Sequence, residues 1–246
     1  MNCKNCGYVI DGNFCCHCGQ SAKVGRITLA GFINEVTESI FQVDKGFFYT
    51  LTALFARPGD SLKDFLNGKR KNHFKPVAYV LTLSTVYFLT SQFTNHNTWL
   101  DDLITGWMNG ATGQGPKAEF PQIITWFSKN YAYSILLLLP VFSLASYLSF
   151  KKFGRNYLEH IVINAYITGQ QAIFYTFFAI GGTFIKSDVL EIFPLLIALS
   201  YTFLVFWQFF SEGNRMVNIM RSIMTYLLYL IFSFLFLLVI IRLNQW

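Results

Sequence analysis

All five cysteines of the 246-residue chain lie in its first 20 residues, MNCKNCGYVIDGNFCCHCGQ. Four of them form two CxxC pairs, and a glycine follows each pair. Four thiolates are the donor set of a tetrahedral, structural zinc site. A glycine after the second ligand of each pair accepts the positive φ that such a turn needs. The pattern therefore predicts one Zn²⁺ ion bound by Cys3, Cys6, Cys15 and Cys18.

The rest of this segment leaves several readings open. YVIDGNF carries the turn signal Asp11-Gly12 between apolar residues, which predicts a small hairpin. About twenty residues bury too little apolar surface to fold alone, so the metal is expected to supply the folding energy. The alternatives are a disulfide pair or two free dithiols, and a cytosolic location favours zinc because thiols stay reduced there. His17 is an alternative ligand, and Cys16 is expected to be spare.

A second group of polar residues recurs along one apolar stretch: Glu159, His160, Asn164, Thr168 and Gln171. From His160 onward, a spacing of three or four residues places them on one face of a helix. Polar side chains in hydrocarbon are costly unless paired, so one interpretation is hydrogen bonding between helices. The other is a polar cavity entered from the cytoplasm, with Glu159 and His160 as an acid/base or metal pair at its mouth.

The elements that carry these residues are predicted to be membrane helices. The chain is 53% hydrophobic and only 13% charged, whereas soluble domains carry roughly a quarter charged residues. Five apolar stretches approach the roughly 20 residues that cross a bilayer. They cover about 76–93, 131–150, 160–185, 192–210 and 222–241. We expect an all-α integral membrane protein with about five transmembrane helices in 76–246 and a zinc ribbon in 1–20.

Residues 21–75 are expected to form a linker followed by short amphipathic helices. An apolar stripe at helical spacing runs through 27–42, and Gly46–Ala56 is apolar but too short to span. Asp60 is expected to cap a further helix that stops at Asn67-Gly68. These helices lie either in the cytosolic interface or beneath the bundle.

The basic residues orient the chain. More than half of its 19 Lys and Arg residues precede Pro76, which predicts a cytosolic N-terminus. Lys69, Arg70, Lys71 and Lys75 lie directly before the first predicted span and are expected to contact anionic lipid headgroups. The alternative is that they act only during insertion. The charge of +6 is concentrated beside spans, so no nucleic-acid partner is expected.

Three motifs resemble those of an uncharacterised family of bacterial multi-pass membrane proteins, a domain of unknown function. They are the CxxCG…FCxxCGQ ribbon, the RPG…LxGKR…F.P segment over 57–76 and the YxEH motif at 157–160. The resemblance implies a multi-pass protein of the bacterial cytoplasmic (inner) membrane and supplies no activity.

The functional expectation follows from what the sequence contains and lacks. It has no GxSxG, HExxH, P-loop or GxGxxG context. No charged residue lies inside a predicted span, although ion-coupled transporters usually carry one. The leading expectation is a non-enzymatic scaffold or regulatory protein whose ribbon binds a cytosolic protein partner. A lipid or small-solute transporter using the polar face of the third span is the alternative, and a membrane enzyme comes third.

Overall fold

The computed structural model of the chain describes residues 1–29, 46–112, 126–127, 129–184 and 188–243. Within these ranges the elements are helical. They are α1 (Gly46–Ala56), α2 (Pro58–Leu66), α3 (Pro76–Thr94), α4 (Trp99–Thr112), α5 (Tyr131–Phe150), α6 (Tyr157–Gly182), α7 (Asp188–Phe209) and α8 (Arg215–Leu243). A 3₁₀ turn, Lys151–Phe153, joins α5 to α6. Most of the predicted stripe over 27–42 lies outside the described residues.

Each of the five predicted spans coincides with a helix. Among the described residues, three stretches are long and apolar enough to cross a membrane: Tyr131–Phe153, Ile192–Phe209 and Arg215–Ile240. The described residues therefore form an all-helical protein with three candidate membrane-spanning helices. The other two predicted spans are α3, with 19 residues, and α6, with 26. Both carry more hydroxyl and amide side chains than the other three, which lowers their hydropathy.

Helix α6 forms the centre of the helical core. It packs against α3, α5 and α7. A Cβ at Gly169 would lie 2.5 Å from the Tyr79 ring, so only glycine allows α3 to approach this closely. The Tyr79 hydroxyl donates to Gln170 Oε1 at 2.6 Å, and the Tyr166 hydroxyl donates to the Phe74 carbonyl at 2.5 Å. These buried contacts fix α3 against α6.

Helix α2 begins earlier than the sequence pattern indicated. Its N-cap is Arg57, without a side-chain cap, and Asp60 lies inside the first turn. The expected cap at Asp60 was wrong because Pro58 occupies the first helical position, where its missing N–H costs nothing. The predicted stop is confirmed, with Asn67 as C-cap and Gly68 at φ 109°.

The short helices α1 and α2 pack against the long ones. The Tyr201 hydroxyl of α7 donates to the Leu54 carbonyl at 3.1 Å. The Gly59 N–H donates to Gln208 Oε1 at 3.0 Å. A Cβ on Gly59 would lie 2.7 Å from the backbone of Gln208. Helices α1 and α2 therefore rest directly on the helical core.

Candidate metal centre and ribbon docking site

The four CxxC cysteines come together at one point. Their Sγ atoms all lie within 4.8 Å of one another, with 3.6 Å between Cys3 and Cys18 and between Cys6 and Cys15. A tetrahedral site with Zn–S bonds of ~2.3 Å places sulfurs about 3.8 Å apart. The cysteines are free rather than disulfide-bonded. This donor set can bind a metal ion, and its spacing fits zinc.

The two CxxC turns are built alike. The Gly7 N–H donates to the Cys3 carbonyl and the Gly19 N–H donates to the Cys15 carbonyl, each at 2.8 Å. Gly7 and Gly19 have φ angles of 79° and 72°. The predicted positive φ at both glycines is therefore confirmed.

The hairpin expected at Asp11-Gly12 is absent from the described ribbon. Val9 instead forms a β-bridge with Asn2, and Phe14 forms one with Ser21. Each CxxC turn is thus closed by the residues that flank it. The hairpin prediction was wrong because both sides of the proposed turn already pair within their own CxxC unit.

The backbone favours the thiolate form at two of the cysteines. Hydrogen bonding from the Cys6 backbone lowers the pKa of Cys3 to about 7. Hydrogen bonding from the Cys18 backbone lowers the pKa of Cys15. The thiolate is the metal-binding form, so both effects favour coordination.

The alternative ligand His17 and the spare cysteine Cys16 lie outside this cluster. Cys16 is exposed, and the His17 ring stacks on Tyr8 with 5.5 Å between ring centroids. Neither residue belongs to the group of potential ligands.

Gln20, directly after the second CxxCG, attaches the ribbon to the loop between α2 and α3. Its side-chain amide donates to the Gly68 carbonyl at 2.9 Å. Its Oε1 accepts from the backbone N–H groups of Arg70 and Lys71 at 3.1 and 3.2 Å. The residue is only 5% exposed. One glutamine therefore satisfies three backbone groups of a loop 48 residues away.

The four basic residues before α3 have different surroundings. We call the segment that carries them, Lys69–Lys75, the basic loop. Arg70 donates to the carbonyls of Phe65 and Gly25 at 3.2 and 2.9 Å. Lys69 pairs with Asp64 at 2.8 Å. Lys71 is exposed and Lys75 is half-buried. The Arg70 side chain thus holds the linker after the ribbon, while lipid contact by the four residues stays a prediction.

Arg26 forms a second attachment, to the start of α6. Its Nε and Nη2 donate to the two Glu159 carboxylate oxygens at 2.9 and 3.0 Å. Nη2 also donates to the Gly154 carbonyl at 2.6 Å. The Glu159 side chain is 3% exposed, whereas that of Arg26 is 56% exposed. Bidentate pairs of this kind fix orientation as well as contributing energy.

Glu159 also belongs to the N-terminal cap of α6. Its N–H donates to Asn156 Oδ1, and its carboxylate accepts from the Asn156 N–H, each at 2.8 Å. Asn156 Nδ2 reaches the Ile27 carbonyl at 3.2 Å. Burial alone raises the pKa of Glu159, but the bonds from Arg26 and Asn156 outweigh it and the pKa is lowered. The carboxylate is therefore ionised, and both of its oxygens accept hydrogen bonds.

The predicted polar face of α6 is divided between two neighbouring helices. On the α5 side, His160 Nδ1 lies 3.0 Å from Ser146 Oγ, and Asn164 Nδ2 donates to the same oxygen at 2.7 Å. On the α7 side, Gln171 Nε2 donates to Thr202 Oγ1 at 2.9 Å. Thr168, between them, is half-buried. These contacts favour packing between helices over a polar cavity.

Glu159 and His160 do not form an acid/base pair. Glu159 binds Arg26 and Asn156, whereas His160 lies against Ser146. In the described part of the chain, neither belongs to a cluster of potential metal ligands.

Two docking residues were missed by the sequence reasoning. The capping box of Asn156 and Glu159 was also not predicted, although its Asn-x-x-Glu spacing is present in the sequence. Nothing local identified Gln20 or Arg26, because their partners lie 48 and 133 residues away.

Comparison with known proteins gives one family. The sequence model of a family described as protein of unknown function (DUF3667) matches residues 44–88. Neither the curated proteins nor the solved structures contain a match to this chain. The matched segment holds α1, α2, the basic loop and the first part of α3, so it includes the loop on which the ribbon docks. The similarity therefore supports an uncharacterised domain family over this segment.

Proposed function

We propose that the chain is a five-span protein of the bacterial cytoplasmic membrane, with a zinc-holding ribbon in the cytosol. Contacts between distant segments support the span count. Arg26 binds Gly154 and Glu159, so the chain must cross the membrane an even number of times between them. Candidate span α5 supplies one crossing, and α3 is the long helix available for the other.

The chain must also cross the membrane an even number of times between Gly154 and Ser211. Lys63 of α2 donates to Ser211 at 2.9 Å, which supports a position of residue 211 on the ribbon side as well. Between Gly154 and Ser211, α7 is a candidate span, so α6 must also cross. Helix α8 then takes the C-terminus to the opposite side. Polar side chains of α3 and α6 pair with each other or with neighbouring helices, in the contacts Tyr79–Gln170, Asn164–Ser146 and Gln171–Thr202, and such pairing allows polar helices to span.

The proposed role is that of a non-enzymatic scaffold or regulatory protein. The observation that carries it is a pair of attachments: Gln20 of the ribbon binds the loop between α2 and α3, and Arg26 of the linker after the ribbon binds the start of α6. A ribbon held in this way couples a metal-dependent module to the cytosolic ends of the membrane helices. No catalytic constellation is needed for such a role.

The outer face of the ribbon is the proposed site for a cytosolic protein partner. Tyr8, Val9 and Phe14 are 55%, 58% and 66% exposed, although all three are large apolar residues. Aromatic residues on a small rigid module are typical anchors of protein interfaces. Gln20 lies on the docked side of the same ribbon.

Photo-crosslinking in cells tests the partner. A photoreactive phenylalanine analogue at Phe14 is expected to give a discrete protein adduct, whereas the analogue at exposed Phe184, on the opposite side of the proposed membrane, should not give that adduct. The Phe14 adduct should disappear in Cys6→Ser, because the ribbon needs its metal to fold. A Phe14 position without adducts, or adducts that persist in Cys6→Ser, would contradict the proposal.

A further inference from the structure

An open cavity lies where the ribbon meets the helical core. Its volume is about 600 Å³. Its walls come from the ribbon, the linker, α2, the turn before α6 and the end of α7. Four basic side chains and two acidic ones line it: Lys4, Arg26, Lys63, Arg155, Glu159 and Glu212. We call this the basic pocket.

The charges of the basic pocket do not cancel. Arg26 and Glu159 neutralise each other through their bidentate contact. The other three basic residues then face one carboxylate, the exposed Glu212. A cavity with a surplus of positive charge attracts an anion.

The three remaining basic groups keep donors available. Arg155 lies over the Phe209 ring at 5.4 Å and makes no hydrogen bond or salt bridge to any residue that the structure describes. Lys4 donates to the Val24 carbonyl at 2.7 Å. Lys63 donates to Ser211, and its nearest acid, Asp60, is 4.0 Å away. An ammonium has three donors and a guanidinium five, so each side chain can bind an anion as well.

The pocket also lies where candidate membrane helices end. Phe153 closes the first candidate span and Phe209 closes the second, and both line the pocket. The third candidate span begins at Arg215. Such a position is at headgroup depth, where phosphates are abundant and basic residues gain from the surface potential. Aromatic side chains are at home at the same depth.

We propose that the basic pocket binds a phosphate group, with Arg155, Lys63 and Lys4 as donors. The planar guanidinium suits two phosphate oxygens, and the lysines act as point charges. The phosphate is carried either by the headgroup of an anionic phospholipid or by a soluble phosphorylated compound. The ribbon supplies Lys4, so the site is complete only when the ribbon is docked. The proposal needs no protein partner and is independent of crosslinking at Phe14.

Lipid titration of the full-length protein in neutral detergent tests the proposal. A fluorescent short-chain phosphatidylglycerol is followed by anisotropy in buffer near physiological ionic strength. Arg155→Gln and Lys63→Gln should each weaken binding about tenfold, because each removes a charge-assisted hydrogen bond. The matched control is Arg215→Gln, which removes an exposed charge that lies over Trp207, outside the pocket. Its binding should stay within about twofold of wild type, because exposed charges outside the pocket contribute little.

A second titration distinguishes the two phosphate sources. Inorganic phosphate is measured alone by calorimetry and as a competitor of the labelled lipid. If it binds with the same dependence on Arg155 and displaces the lipid, the ligand is a soluble phosphate. If only the lipid shows that dependence, the ligand is a headgroup. Equal weakening in Arg155→Gln and Arg215→Gln, or no change in Arg155→Gln and Lys63→Gln, would overturn the site.

Discussion

At the scale of single residues, two glycines give the RPG and GKR motifs a physical meaning. Gly59 brings α2 onto the backbone of α7, where a Cβ would lie 2.7 Å from Gln208. Gly68 has φ 109° and presents its carbonyl to Gln20. Side chains other than glycine disfavour that φ. Both motifs therefore serve contacts between distant parts of the chain.

Gly59→Ala is predicted to destabilise the protein. The added Cβ meets backbone atoms of α7, which cannot move aside as a flexible side chain would. Overpacking of this kind costs ~1–3 kcal/mol. Thermal unfolding in detergent should therefore show a lower midpoint.

The matched control is Gly181→Ala in α6, where an added Cβ meets nothing within 4 Å. There the alanine should be neutral or should stabilise the helix by up to ~1 kcal/mol. Equal midpoints for the two variants would remove the close-approach explanation of the RPG glycine.

At the scale of elements, the helices were predictable and their caps were partly so. Helix α5 occupies Tyr131–Phe150, as its apolar run predicted, and α3 extends one residue beyond its predicted end at Phe93. Apolar length and Pro76 are local signals, so the sequence contains them. The cap of α2 was misplaced because Pro58 and Asp60 compete as start signals two residues apart.

The attachment of the linker to α6 predicts an asymmetry between its two charged partners. Glu159 is 3% exposed and Arg26 is 56% exposed. Arg26→Gln leaves a buried carboxylate with one fewer partner, whereas Glu159→Gln leaves a cation in contact with water. An uncompensated buried charge costs more than an exposed one. Arg26→Gln should therefore lower the free energy of unfolding more, which thermal unfolding of both variants at neutral pH would measure.

A dependence on pH follows from the same pair. The pKa of Glu159 in the folded chain lies below its ordinary value of 4.5. Its ionised form thus contributes stability that is complete above about pH 4.5 and is lost as pH falls through the lowered pKa. The difference in unfolding free energy between wild type and Glu159→Gln should be largest at neutral pH and shrink in acid. A difference that grows in acid would show that the carboxylate is not stabilised as an anion.

At the scale of the whole molecule, the way in which the ribbon docks could not be read from the sequence. The zinc cysteines were identifiable because a CxxC pair is a local pattern. Gln20 and Arg26 bind groups 48 and 133 residues away, and one sequence carries no local sign of such pairing. The basic cluster before α3 was predicted from its charge alone. In the structure the Arg70 guanidinium also donates to two backbone carbonyls.

The five-span arrangement predicts the location of the segment between α3 and α5. With α3 crossing the membrane, that segment lies outside, while residues near Gly25 and Gly154 lie inside. An epitope inserted after Gly115 should be reached by antibody on intact spheroplasts. An epitope after Gly25 should be reached only after permeabilisation. If the tag after Gly115 also requires permeabilisation, α3 does not span and the five-span topology is wrong.

We propose that a metal-folded ribbon is held on the cytosolic ends of the membrane helices. Hydrogen–deuterium exchange of the full-length protein measures this directly, because the Arg70 and Lys71 N–H groups donate to Gln20 of the ribbon. Cys6→Ser removes a ligand, and Cys16→Ser is the matched control. Peptides over 68–74 should exchange faster in Cys6→Ser and remain protected in Cys16→Ser, with bound metal lost only in the former. Unchanged protection of 68–74 in a metal-free Cys6→Ser variant would show that the metal does not hold the ribbon on the helices.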